Sequence, residues 1–249
     1  LKQWAGTLQL KIKILGTGTA VPSLQRLSSS YLVTCNNTRI LVDVGPSVVR
    51  RLLESGYQVD DVDVVVLTHF HVDHTADLST FLFACNYGER ERRKALTIIG
   101  GPGILKFLRD LKRLYPWVAP KSYALSVRNP VRQKLSMAGF NIETARVRHN
   151  RESVAVKIDC GKSIVFSGDT GYSRTLVRLA TDADLFVAEC SFPERKAKGH
   201  MNLALLHSVV EESGAKKVII SHRYPEWNDF EGTLRPGYVL GEDGMELEV

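Results

Sequence analysis

An uninterrupted apolar run, Val64-Val65-Val66-Leu67, leads directly into Thr68-His69-Phe70-His71-Val72-Asp73-His74. The run reads as a buried β-strand. Three histidines and an aspartate then fall within a single short stretch, and imidazole nitrogen and carboxylate oxygen are the ligands that hold zinc and similar divalent ions. Side chains emitted from the end of a rigid strand are in place before an ion arrives, which lowers the ordering cost of binding. Solvated loop histidines are the alternative; one histidine would suit that reading, but this density does not.

The rest of the chain alternates strands with helices. Strands are expected at 8–15, 31–35, 39–43, 96–99, 139–147, 154–158, 163–166, 184–188 and 217–221. Helices are expected at 46–54, 76–84, from Gly103 to about Leu114, 173–180 and 202–212. Strand-rich stretches separated by helices in both halves imply two sheets with helices packed outside them. Gly16-Thr17-Gly18-Thr19 lacks the Lys-Ser/Thr of a P-loop and a full GxGxxG, so it reads as a tight turn.

The 249 residues show no linker, low-complexity tract or charge block, so one domain over 1–249 is expected. No apolar stretch approaches the roughly 20 residues of a membrane span. A net charge of +6 attracts anionic substrates but is far from the basic stripe of a dedicated nucleic-acid binder. Arg90, Arg92, Arg93 and Lys94 alternate with acids and read as a solvated surface. Cys35, Cys85, Cys160 and Cys190 stand far apart in apolar segments. They are read as buried free thiols in a reducing cytoplasm.

A closed dinuclear site needs more ligands than one motif supplies. His149 ends an expected strand, Asp169 follows Ile164-Val165-Phe166 within Ser167-Gly168-Asp169-Thr170, and His222 follows Val218-Ile219-Ile220-Ser221. Each is a polar group at the end of an apolar strand, where sites gather in layered α/β folds. His207 lies within an expected helix and reads as a helix-face residue.

On these residues the chain resembles the metallo-β-lactamase superfamily, which carries HxHxDH, a later His, a bridging Asp and a final His. The resemblance implies a four-layer αββα sandwich, with the site at one edge between the sheets. It implies that His69, His71 and His149 hold one metal, that Asp73, His74 and His222 hold a second, and that Asp169 bridges them. Class B1 lactamases have Cys where Asp169 stands, and flavodiiron proteins have Glu where His71 stands, so neither branch fits.

Leu15-Gly16-Thr17-Gly18-Thr19-Ala20-Val21-Pro22, Ser28-Ser29-Ser30 and Val42-Asp43-Val44-Gly45 resemble ribonuclease Z and its relatives. So do Val187-Ala188-Glu189-Cys190-Ser191-Phe192 and Gly199-His200-Met201-Asn202, although Met201 and Asn202 replace Ser and Thr. Ribonuclease Z inserts its tRNA-gripping arm between the residues matching His149 and Asp169. Two expected strands already fill that interval here, so the pattern is closer to the arm-less phosphodiesterases. The cysteine-rich structural zinc site of one such enzyme, the cyclic phosphodiesterase of the phosphonate pathway, is absent.

The expected cofactors are two divalent ions, zinc before manganese or iron. The expected chemistry is hydrolysis of a cyclic nucleotide, a cyclic sugar phosphate or a short nucleic acid by a metal-bridging hydroxide. Asp73 orients the hydroxide, His200 protonates the leaving alkoxide and Glu189 holds His200. Asp43 is read equally as a support for a ligand and as a turn cap. A tRNA 3′-endonuclease, or a thioesterase or lactonase, is the alternative. No membrane partner is expected; the sequence does not give the oligomeric state, and a homodimer enters only through the resemblance, whose members are commonly dimers.

Overall fold

A computed structural model describes residues 10–249 except Arg132 and Ala138. Leu8 and Gln9, assigned above to the first strand, lie outside the described residues. The first sheet has the order β14-β1-β2-β3-β4-β5-β6. Its strands are β1 (Leu10–Gly16), β2 (Ser30–Cys35), β3 (Thr38–Val42), β4 (Val64–Leu67), β5 (Leu96–Gly100), β6 (Leu125–Arg128) and β14 (Glu246–Glu248). The second has the order β13-β12-β11-β10-β9-β8-β7. Its strands are β7 (Lys134–Met137), β8 (Phe140–Arg146), β9 (Val154–Asp159), β10 (Ser163–Phe166), β11 (Leu185–Glu189), β12 (Val218–Ser221) and β13 (Tyr238–Leu240).

Strand alternation sorts the core into three layers. Val64 and Val66 of β4 pack between the two sheets against the cluster that holds Ile164 and Phe166 of β10. Val65 and Leu67 face the outer helices α1 (Val48–Glu54), α3 (Leu78–Tyr87) and α4 (Ile104–Leu114). Val165 and Phe186 face α5 (Arg174–Leu179) and α6 (Leu203–Ser213) on the opposite side. Central strands therefore carry apolar side chains on both faces, which is why they read as continuous apolar runs. The result is the αββα sandwich that the resemblance implied.

Two readings of individual residues are corrected. Arg92 is not a surface residue: it is fully buried, and its guanidinium donates to the carbonyls of Val59, Val62, Lys94 and Ala95. Planar donors that cap backbone carbonyls let this charge stay inside, with the Tyr123 ring 5.6 Å from it. Cys35 and Cys160 are not free: they form a disulfide that ties the end of β2 to the end of β9 across the two sheets. Cys85 and Cys190 are free and buried, as expected. Among the described residues, no helix is long and apolar enough to cross a membrane.

Candidate metal centre

The strand ends that meet at one edge of the sandwich carry every candidate ligand. β4 leads into Thr68 and His69; His71 caps the short helix α2 (Val72–Thr75), whose first turn carries Asp73 and His74. His149 lies in the turn between β8 and β9, Asp169 follows β10, and His222 follows β12. Two glycines make room for this convergence. A Cβ on Gly45 would stand 1.9 Å from the Asp73 carbonyl oxygen. Gly168 has φ +56° and would press a Cβ to 2.9 Å from both the Thr68 side chain and the Val154 carbonyl. Asp43 (φ 61°) and His222 (φ 52°) also adopt the left-handed region, at a cost of roughly 1–3 kcal/mol each that the surrounding contacts must offset.

Ligand-type atoms form three overlapping groups, of which two make the main pair and the third is Asp169, His200 and His222. His69, His71, His149 and Asp169 make one of the pair; Asp73, His74 and His222 make the other. Asp169 reaches both. Its Oδ2 lies 3.6 Å from His69 Nε2 and 3.3 Å from His222 Nε2, and its Oδ1 lies 3.4 Å from His74 Nε2. Asp73 Oδ2 is 3.5 Å from His74 Nε2 and 3.4 Å from His222 Nε2. His71 Nδ1 is 3.3 Å from His149 Nε2. A tetrahedral ion with bonds of about 2.1 Å would separate its ligands by about 3.4 Å, so these spacings suit such an ion.

The outer nitrogens of the rings are held. Asp43 Oδ2 lies 2.8 Å from His74 Nδ1 and also accepts the Thr68 hydroxyl at 2.8 Å, while Oδ1 accepts the Thr68 amide at 2.7 Å. Asp43 thus supports a ring of the cluster rather than merely capping a turn. Thr68 Oγ1 is 3.2 Å from His69 Nδ1, the Asn150 amide is 2.8 Å from His71 Nε2, and the Gly199 carbonyl accepts from His149 Nδ1 at 3.0 Å. The inner atoms are left over. His69 Nε2, His74 Nε2, His222 Nε2 and Asp169 Oδ1 are buried without a hydrogen-bond partner. Unmet buried polar atoms are costly, and four of them pointing into one space fit a cation.

Charge coupling in the cluster is strong. Burial draws the His74 pKa down, but the Asp169 and Asp43 carboxylates outweigh it and hold the pKa at about 10. His69 goes the other way, to about 2, through burial and the neighbouring His74 charge. Burial would raise Asp73, yet the nearby His222 and His74 rings outweigh it and bring it to about 2. Asp169 is also lowered: burial opposes the shift, and the surrounding His222, His74 and His69 rings outweigh it.

His200 and Glu189 stand beside the cluster. Glu189 Oε1 lies 3.1 Å from His200 Nδ1 and accepts the amides of Thr170 and Met201; Oε2 accepts the amide and hydroxyl of Ser191. Burial lowers the His200 pKa, but Glu189 outweighs it and raises it above the usual value. His200 also falls within ligand distance of Asp169 and His222. His207 lies on α6 and belongs to none of these groups. The sequence reading missed Thr68, Asn150 and Ser191 as supports. Their only signal is adjacency to a candidate, which many loop hydroxyls and amides share.

A family model described as "Anti-Pycsar protein Apyc1" matches residues 10–237. The probable metallo-hydrolase YhfI of Bacillus subtilis is 26% identical over 220 residues, covering 86% of each chain. Its crystal structure superposes with a TM-score of 0.82 at 24% identity, covering 97% of this chain and 100% of that one. Ribonuclease Z of Bradyrhizobium diazoefficiens is 26% identical over 282 aligned positions, covering 88% of this chain and 91% of its own. Such an alignment is longer than the whole 249-residue chain, so tens of its positions are gaps on this side. The short form of human tRNase Z superposes with a TM-score of 0.80 at 19% identity, covering 95% and 98%.

Proposed function

The chain belongs to the anti-Pycsar protein Apyc1 family, within the ribonuclease Z-like branch of the metallo-β-lactamase superfamily, and is a metal-dependent hydrolase; from that premise we propose that it hydrolyses a small phosphodiester. The substrate class in this proposal is a cyclic nucleotide, a cyclic sugar phosphate or a short nucleic acid. The family's name describes an anti-Pycsar protein, and the proposal takes action against that system as the setting of the reaction. The reading treats residues 1–249 as one hydrolase domain.

One observation carries the proposal: the inner atoms of His69, His74, His222 and Asp169 face a common space without partners. His69, His71 and His149 would hold one divalent ion, Asp73, His74 and His222 the other, with Asp169 shared. Ligand spacings near 3.4 Å favour zinc over an octahedral ion, whose ligands would stand closer together. Bound there, the ions supply Lewis acidity toward a phosphoryl oxygen and acidify a water.

This chain's own residues do the rest. Asp43 and Thr68 fix the rings of His74 and His69. Asp73 offers a carboxylate oxygen beside the attack position and orients the attacking group. Glu189 keeps Nδ1 of His200 occupied and favours the imidazolium, so Nε2 is the end that gives its proton to a leaving alkoxide. Arg195 is paired with Glu226 at 2.7 Å and lies over the Phe192 ring.

The interval between His149 and Asp169 is filled by β9 and β10, which leaves no insertion that could grip a tRNA and supports a small substrate. A ribonuclease Z activity is the second reading, favoured by the similarity to those enzymes over most of their length. A cytoplasmic setting has the free Cys85 and Cys190 for it and the Cys35–Cys160 bond against it. The test is a panel on metal-reconstituted protein: cyclic nucleotides, bis(p-nitrophenyl) phosphate, a tRNA precursor, a thioester and a lactone. Turnover of the small phosphodiesters above all others is expected. Preference for the tRNA precursor would establish the second reading, and preference for a carbonyl substrate would overturn both.

A further inference from the structure

Ser191 is fully buried and its hydroxyl touches three charged or chargeable groups at once. Oγ lies 3.0 Å from Glu189 Oε2, 3.0 Å from His200 Nδ1 and 3.2 Å from His222 Nδ1. A serine hydroxyl has one proton and two lone pairs. The carboxylate only accepts, so the proton goes to Glu189. The lone pairs are left to face the two imidazoles, and each ring must then present an N–H at Nδ1. His222 is thereby fixed in the tautomer with Nε2 bare, while His200, whose Nδ1 the hydroxyl shares with Glu189 Oε1 at 3.1 Å, keeps its Nδ1 proton and leaves Nε2 as the exchanging end. For His222 that nitrogen points at Asp73 and Asp169. For His200 it is the end free to carry and release the second proton.

We propose that Ser191 is a positioning residue that couples the acid His200 to the cage residue His222 through one shared hydroxyl. The inference rests on the dimetal phosphodiesterase reading for its consequence, but not for its geometry. Backbone bonds hold Ser191 where it must be. Its amide donates to Glu189 Oε2 at 2.9 Å, the Tyr224 amide donates to its carbonyl at 3.1 Å, and the preceding amide of Cys190 donates to the Ser221 carbonyl at 3.0 Å. The hydroxyl is thus pinned between the ends of β11 and β12, the two strands that deliver Glu189 and His222.

The first sheet has a counterpart with a different task. Thr68 Oγ1 donates to Asp43 and lies 3.2 Å from His69 Nδ1, but every imidazole near it belongs to the cage. On the second sheet the same carboxylate–hydroxyl pair serves one cage ring and one ring outside the two main ligand groups. Ser191 therefore sets the orientation of His200 relative to the ion that His222 would hold. A change at one ring is transmitted to the other through a single oxygen.

Three readouts on Ser191→Ala and Ser191→Thr test this. Chelator competition with zinc alone should show one of two ions weakened about 10–100-fold in Ser191→Ala, as expected on losing a partner of a ligating histidine. Nitrogen-15 spectra of the histidine rings should show His200 and His222 both changing tautomer population, with His74 unchanged. Turnover should fall about 10-fold more for an alkyl phosphodiester than for bis(p-nitrophenyl) phosphate, whose leaving group needs no acid. Ser191→Thr, which keeps the hydroxyl, should restore all three. A Ser191→Ala protein in which only one ring changes, or in which both leaving groups are affected equally, overturns the coupling. The metal and spectroscopic arms read out even if no phosphodiester proves to be a substrate, so failure of the proposed function is seen separately.

Discussion

The two sheets supply the candidate metal centre in different ways. The first delivers His69, His71, Asp73 and His74 from one strand end and the short helix after it, with Asp43 from the neighbouring strand. The second delivers His149, Asp169, His200 and His222 from separate loops spread over its length, and Glu189 from the end of β11. One side is a local motif whose geometry follows from consecutive residues. The other exists only once β8 to β12 are paired in register. Asp169 joins the two sides most extensively, touching His69 and His74 of the first and His222 of the second, and Asp73 also reaches His222.

The largest expected effect is at that join. Asp169→Ala should abolish stable binding of both ions and lower turnover about 10³-fold, several kcal/mol of charge stabilisation. Metal analysis after gel filtration, alongside the phosphodiester assay, checks it. A protein that keeps both ions would mean the two sides are independent.

His200→Ala acts on the second side alone. It should retain both ions and lose about 10²-fold or more on an alkyl phosphodiester, with a much smaller loss on bis(p-nitrophenyl) phosphate. Asp43→Asn acts on the first side alone. It should weaken one ion about 10–100-fold by loosening His74, as read by chelator competition.

Proton competition should also fall on the first side. In the metal-free cluster His74 keeps its proton up to about pH 10, so metal uptake at neutral pH must expel it. Apparent affinity should therefore rise about 10-fold per pH unit for that proton, measured by competition between pH 6.5 and 8.5. The linked stability has the same origin. His74, with its pKa raised, stabilises the metal-free fold fully below about 6.5, and that share is lost as pH rises through about 10. Asp73, with its pKa lowered, stabilises above about 3.8, and its share is lost as pH falls through about 2.

The smallest effect on the site should come from its opposite end. β2 starts at Ser30, whose hydroxyl donates to the Asp43 carbonyl, and ends at Cys35, roughly 17 Å along the strand. Cys35→Ser should lower unfolding stability by about 4 kcal/mol, because the bond closes a long loop, yet leave metal content unchanged. Denaturant melts with metal analysis read both quantities.

The same contrast explains what was legible in the sequence. The cluster 68–74 announces itself because its ligands are neighbours. His149, Asp169 and His222 were found because each follows a strand, but their assignment to metals came from resemblance, since spacing alone does not say which strand ends meet. The short edge strands β6, β7, β13 and β14 were missed. Their faces are mixed or exposed, and β13 and β14 have only three residues each, so no periodicity could develop. The disulfide was missed because Cys35 and Cys160 become neighbours only when the two sheets stack. Arg92 was misread because its burial depends on four carbonyls from two separate segments, and alternating charge in sequence carries no trace of them.

Anomalous diffraction from crystals of protein purified without chelators tests the central claim most directly. Two peaks about 3.5–4 Å apart are expected, one bonded to His69, His71 and His149, the other to Asp73, His74 and His222, with Asp169 touching both. A single ion, or ions bound elsewhere while these side chains keep their present separations, would contradict it.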